Sequence, residues 1–200
     1  WKAEGPQIVK QYDSTFALGP IDQYDVVVCG GTLGIFYALA MQLHGRRVAV
    51  IERGKIAGRE QEWNISGKEM QIFIDLTIFT QEEIDSVKAI EFNPVRVGFK
   101  TDTRPEALAI PKGVEGHQFE LYTKDVLNLG ILPSKLIALA KEKFVAAGGV
   151  AIEMKTLTSI DIYDNVGLLS CAPTGPTKEG APVIASQIAA RVIIDCMGNA

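Results

Sequence analysis

The chain has 200 residues, 47% of them hydrophobic and 22% charged, which suits one core-forming domain with at most a small lobe and excludes a disordered, highly charged tail. Lys and Arg total 20 against 24 Asp and Glu, a net charge of −4, so the broad basic face of a nucleic-acid binder is missing. No apolar run reaches the roughly 18 residues of a membrane-spanning helix, and Cys29, Cys171 and Cys196 stand far apart in neither metal-binding nor disulfide spacing, so a reducing compartment is the default.

Residues 1–23 hold two prolines and no sustained period, and read as an irregular lead-in. Residues 24–29 (YDVVVC) are a short β-branched run, apolar on both faces, as a central parallel strand requires. Gly30-Gly31 ends it. Residues 33–44 are rich in Ile, Phe, Ala, Leu and Met, contain no proline and meet Gly45, which predicts a buried helix with a glycine stop. Residues 47–51 (RVAVI) form a second strand. Strand, glycine turn, helix and strand within this span make a βαβ unit with a right-handed crossover.

Residues 53–64 (RGKIAGREQEWN) are polar and read as the loop leaving that strand. Ser66-x-x-Glu69 is a capping box, with Ile65 and Met70 at the staple positions, and predicts a helix from Gly67 toward residue 77. Thr80-x-x-Glu83 starts another, to about Ile90. Residues 91–123, with Pro94, Pro105 and Pro111, read as loop and short edge strands. Pro133 stands at a first helical position, and Leu136, Leu139, Ala140 and Phe144 recur on one face until Gly148-Gly149. A strand follows at 150–153, then a hairpin of 157–163 and 166–170 through Asp164-Asn165, a flexible loop at 172–183, and a last strand at 191–196 before Gly198. The chain opens at Trp1 and stops at Ala200 just behind that apolar run, which reads as a piece of a longer protein. Residues 24–200 are thus expected to be a partial dinucleotide-binding domain, with 55–124 a helical and loop insertion between the second and third core strands.

Chemistry concentrates at residues 26–34 (VVVCGGTLG) and at Glu52. The dinucleotide fingerprint is G-x-G-x-x-G with an acid about 20 residues further on. Gly31 would let the backbone approach a pyrophosphate, Gly34 would let the helix pack on the sheet, and the helix start would offer free N–H groups and a positive dipole end. Glu52 would accept hydrogen bonds from a ribose, and an acid there argues against the 2′-phosphate of NADP. The sequence departs from the pattern at the first glycine, where Cys29 stands; a Cβ there is expected to strain the turn if φ is positive. His44 and His117 have no partner pattern and read as surface or cap residues.

Glu52-Arg53 resembles the end of the second strand of flavoprotein oxidoreductases. The C-terminal half, with its helix, strand, hairpin and Ile-Ile-Asp-x-x-Gly strand, is similar to the three-layer, Rossmann-like FAD-binding fold of the glutathione-reductase type. That likeness implies FAD as cofactor, Gly198 returning close to it, and Thr156 and Leu157 lining the adenine. The segments GREQEWNIS (58–66), DVVVCGGTLGI (25–35), VLNLGILPSKL (126–136) and VIIDCMGN (192–199) further resemble the Cru-type lycopene cyclases, closest to their plastid and cyanobacterial branch. The family implies closure of the ψ-ends of a linear carotenoid into β-rings, with reduced FAD and a general acid that protonates a double bond. It also implies a plastid or cyanobacterial location and peripheral contact with a thylakoid membrane. Glu60 and Glu62 are the carboxylates of the distinctive loop, Arg59 is a candidate for the FAD phosphates or ribose, and Trp63 and Asn64 for packing on the cofactor. The expected cofactor set is therefore Cys29, Gly30, Gly31, Thr32, Leu33, Gly34, Glu52, Arg53, Arg59, Leu157 and Gly198; no metal site is expected and no catalytic acid is assigned. Two other functions fit the same residues: a different FAD-dependent oxidoreductase acting on an isoprenoid, and a non-catalytic flavin-fold protein with a binding or assembly role.

Overall fold

The computed structural model describes residues 8–98, 120–175 and 186–198. They fall into two compact units, one drawn from Trp1–Arg59 and Ser134–Ala200, the other from Glu60–Pro133.

The first unit is built on a seven-stranded sheet. Its parallel part consists of β2 (Asp22–Cys29), β3 (Val48–Ile51), β9 (Val150–Ile152) and the second half of β12 (Ser186–Asp195), in the order β12-β2-β3-β9. Val27, Val28, Val48, Ala49 and Val50 have no exposed surface, which explains why these runs are apolar at every position and show no alternation. The antiparallel part is formed by β10 (Lys155–Ile162), β11 (Gly167–Pro173) and the first half of β12, with β1 (Val9–Gln11) parallel to β10 at the edge.

The two sets of side chains on the parallel strands meet different layers. Val27, Cys29, Ala49 and Ile51 pack with Leu169, Cys171, Ile188 and Ala190, so the antiparallel strands cover that face. On the other face, Gly34 of α1 (Gly34–Leu43) sits against Val28. The result is a three-layer α/β arrangement with the parallel strands in the middle. Burial of these apolar side chains, at about 25 cal/mol per Å², is the main force holding it together.

Helix α4 (Pro133–Ala146) leads into β9. Pro133 occupies its first position, as its fixed φ and missing N–H favour. Ile137, Ala140 and Phe144 recur at helical spacing and are fully buried. Gly148 adopts φ +89° and ends the helix. Gln42 of α1 ties this end to the sheet: its Nε2 donates to the Ala147 carbonyl at 3.0 Å and its Oε1 accepts from the Val48 N–H at 3.1 Å.

The second unit holds β4 (Trp63–Ile65), α2 (Gly67–Asp75), α3 (Gln81–Val87), β5 (Lys88–Glu91), β6 (Val95–Gly98), β7 (Glu120–Thr123) and β8 (Leu129–Ile131). Strands β4-β8-β5 form one antiparallel sheet and β6-β7 another. The reciprocal bonds of the Thr80/Glu83 box are both made, at 3.2 and 2.8 Å. Before α2, Glu69 accepts from the Ser66 N–H, while Ser66 Oγ accepts from the Leu127 N–H.

Several expectations are corrected. The lead-in is not irregular throughout: Val9–Gln11 form β1, and β2 starts at Asp22. Trp63 and Asn64 belong to a strand, not to the loop. Helix α3 stops at Val87, because residues 88–91 pair with β8, where Gly130 leaves room for Ile90. Strand β8 itself had no strand-like pattern. The loop expected at 172–183 begins later, since Ala172 and Pro173 belong to β11; its remainder at 176–183 and the loop reading at 99–119, which includes His117, lie outside the described residues.

The ring of Phe144 occupies the place of a Cβ on Gly149, and neither can move in a filled core. Gly149→Ala is therefore expected to destabilise the protein by about 2 kcal/mol, read from the urea midpoint at unchanged slope.

Candidate functional site

The βαβ unit places its turn at the carboxyl end of the parallel strands, where α/β sheets bind ligands. Cys29 is not strained. It is the last residue of β2, in register with Ile51 of β3 and Asp195 of β12, and its carbonyl accepts the Cys196 N–H at 2.7 Å. The positive φ falls one residue later, on Gly30 at +97°. A Cβ on Gly30 would lie 2.5 Å from the Cys196 carbonyl oxygen and 2.9 Å from the Met197 nitrogen. Gly30 is thus required twice, by its own conformation and by the returning end of β12.

Gly34 is required by packing: a Cβ would lie 2.6 Å from Val28 Cγ1 and 3.3 Å from Cys196 Cβ. Its absence seats the start of α1 on the sheet. Thr32 and Leu33, just ahead of the helix, are exposed, and the first turn of α1 carries no acidic residue. The first N–H groups of the helix have no partner within it, and its dipole end is positive. These are the elements of an anion site.

Gly31 has a different surrounding from the expected one. Its N–H donates to Glu52 Oε2 at 2.7 Å, and the space beside its Cα is filled by Ile56, whose Cγ1 would lie 2.6 Å from a Cβ. Glu52 Oε1 accepts the Gly54 N–H at 3.0 Å. One carboxylate therefore ties the glycine turn to the loop leaving β3. Each of its oxygens accepts one of these bonds and keeps a further lone pair.

Arg53 and Arg59 are exposed on that loop, and so is Lys55, a cation that the sequence reading passed over. Leu157 is half-buried and packs into the apolar cluster beneath β2 and β3, while Thr156 pairs its hydroxyl with Thr174 at 2.8 Å. The residues brought to Glu52 are others. Its N–H donates to the Ile152 carbonyl, its own carbonyl accepts from the Lys155 N–H, and Met154, at φ +55°, donates to the Gly54 carbonyl. No local motif marks these three; only the pairing of β9 beside β3 brings them there. Gly198, with φ +73°, lies exposed two residues beyond the Cys196 that touches the turn.

Cys29 and Cys196 meet through backbone. The Cys29 side chain lies in the apolar cluster with Cys171, whereas Cys196 Sγ is 3.5 Å from the Cβ position of Gly34, on the helical side. Burial pushes the Cys29 thiol up to about 12, so it stays protonated at neutral pH and is no nucleophile. His44 caps the C-terminus of α1. Glu60 and Glu62 are exposed, and among the described residues Asn128 is the one buried polar side chain. No group of three metal-ligating side chains occurs among the described residues.

The sequence matches no protein-family model and no curated protein. The fold, in contrast, recurs among solved structures. The flavin-dependent brominase Bmp2 superposes with a TM-score of 0.60 at 18% identity, over 88% of this chain and 38% of its own. A flavoprotein/dehydrogenase from Cytophaga hutchinsonii gives 0.55 at 13% identity, over 88% and 40%. The OxyS anhydrotetracycline hydroxylase from Streptomyces rimosus gives 0.52 at 15% identity, over 88% and 32%. The chain spans between about a third and two-fifths of the length of these proteins. It has the Rossmann-like, three-layer fold that they share.

Gly30→Ala should collapse the turn, since the new Cβ meets backbone on the opposite side and a positive φ together. A destabilisation of about 3 kcal/mol is expected in thermal unfolding, against about 1 kcal/mol for Gly45→Ala, where the positive φ alone is strained and the space around it is open.

Proposed function

We propose that this chain is the dinucleotide-binding part of an FAD-dependent enzyme, and that the whole protein is a lycopene-cyclase-like enzyme of carotenoid biosynthesis. The observation that carries the cofactor is the glycine turn that opens α1 with Glu52 tied beside it. The residues fit the group: a helix start without acidic residues, exposed Thr32 and Leu33, and an acid at the end of β3. The N–H groups of residues 32–34 would hold the pyrophosphate. Glu52 would accept the ribose hydroxyls on the lone pairs that Gly31 and Gly54 leave. Arg53 and Arg59 would balance phosphate charge. When bound, FAD supplies a flavin that exchanges electrons or hydride. The flavin named for Bmp2 and the flavoprotein named for Cytophaga hutchinsonii support this cofactor.

The isoprenoid substrate rests on the resemblance of 25–35, 58–66, 126–136 and 192–199 to the Cru-type cyclases. Ring closure of a ψ-end needs a carboxyl whose proton is kept by an apolar enclosure. Glu60 and Glu62 are exposed, and neither is enclosed in that way. A plastid or cyanobacterial setting with peripheral membrane contact belongs to the same proposal. Among the described residues, no helix is long and apolar enough to cross a membrane.

Full-length protein, purified and then denatured, should release FAD identified by absorbance and mass. Glu52→Gln, which keeps the shape and one acceptor oxygen, should retain it at least about tenfold less well. A folded parent that releases no flavin would falsify the cofactor. Pigments from lycopene-accumulating cells that express the full-length gene should contain β-rings; altered saturation or oxygenation without rings would instead indicate a redox reaction on the isoprenoid.

A further inference from the structure

The segment that leaves β3 is anchored by a group the proposed function leaves unused. Glu153 follows β9, and its Oε1 accepts the Ile56 N–H at 2.6 Å. Its Oε2 accepts from Lys141 Nζ of α4 at 2.7 Å. Lys141 and Glu153 are about 31% and 26% exposed, so this is a half-buried ion pair and not a pair on the open surface. Ile56 is 4% exposed, and its side chain fills the space beside Gly31. A continuous path of contacts thus runs from the middle of α4, through one carboxylate and one backbone N–H, to the glycine turn.

We infer that Glu153, held by Lys141, is a positioning residue for the dinucleotide site: it fixes Ile56 against Gly31 and so sets the shape that the turn presents to the cofactor. This rests on the FAD reading above. The geometry has two further supports. Glu52 holds the same turn from the other end of the segment, through Gly31 and Gly54, so residues 52–56 are pinned at both ends by carboxylates. The groups facing Glu153 are all favourable to its charge. Burial works against ionisation, but the Lys141 ammonium, the Ile56 N–H and the nearby Lys55 outweigh it and hold the carboxyl below its ordinary value. A carboxylate held low contributes above its unfolded value and loses its contribution as pH falls through the lowered one.

The test is amide hydrogen exchange at Ile56 in full-length protein, followed against pH, with FAD retention measured on the same samples. Glu153→Ala should speed exchange at Ile56 about tenfold and raise FAD dissociation by a similar factor, with far-UV circular dichroism unchanged. Glu153→Gln retains an acceptor for the N–H and should restore most of the protection, but without the parent's loss of protection at low pH. Lys141→Met, which removes the ion pair from the helix side, should weaken protection less than Glu153→Ala and guards against a variant that fails to fold. Exchange at Ile56 equal in parent and Glu153→Ala overturns the inference. So does a parent that holds FAD and a variant with an open segment that holds it equally well. A parent without FAD overturns the cofactor reading together with the effect on retention, and is distinguished from the other two outcomes because it shows in the parent itself.

Discussion

A contact between two backbones sets the terms for the whole site. The peptide after β2 lies so close to the end of β12 that no Cβ fits between them at Gly30. The Cys29 carbonyl closes the same approach by accepting the Cys196 N–H. Because of this contact the last parallel strand ends at the glycine turn, and α1 starts directly above it. Glu52 then adds the second strand of the βαβ unit to the same point. Three strand ends and a helix start therefore converge through short, backbone-defined contacts, which hold geometry better than long side chains do.

The convergence also explains how polar chemistry is distributed. The interior beneath the turn is apolar and holds two protonated thiols, those of Cys29 and Cys171. Charge is kept at the rim: Glu52, Glu153 with Lys141, and the exposed cations of residues 53–59. Such a division suits recognition of a charged group at the strand ends. It does not suit acid catalysis by the described residues themselves, since none of them encloses a carboxyl in apolar surroundings.

Much of the first unit was legible because its signals are local. The apolar runs of β2 and β3, the glycine-rich turn, Pro133 at the first position of α4 and Gly148 after it each state their structure within a few residues. What escaped was set by distant pairing. Val9–Gln11 form a strand only because β10 offers an edge, with each paired residue 151 positions later in the chain, and Lys88–Glu91 leave the helical pattern because β8 offers another. The position of strain was misplaced by one residue for the same reason. Local rules put the demand for glycine on Cys29, whereas the approach of residue 196 put it on Gly30. Likewise, Glu52 was found by its spacing, but its neighbours Ile152, Met154 and Lys155 and the anchor Glu153 depend on where β9 lands.

Strand β12 is shared between the antiparallel and parallel parts of the sheet, pairing with β11 over Cys171↔Ser186 to Gly167↔Ala190 and with β2 over Ile188↔Asp22 to Asp195↔Cys29. During synthesis β2 leaves the ribosome more than 150 residues before its neighbour, and until then one side of the central strand is a bare, β-branched edge. The contact is of high sequence separation and closes late, which slows folding and leaves that edge open to association with other chains. A chain cut ahead of Ser186 would therefore lack β12 and free that edge of β2, and the expected product is an aggregate and not a slightly smaller domain.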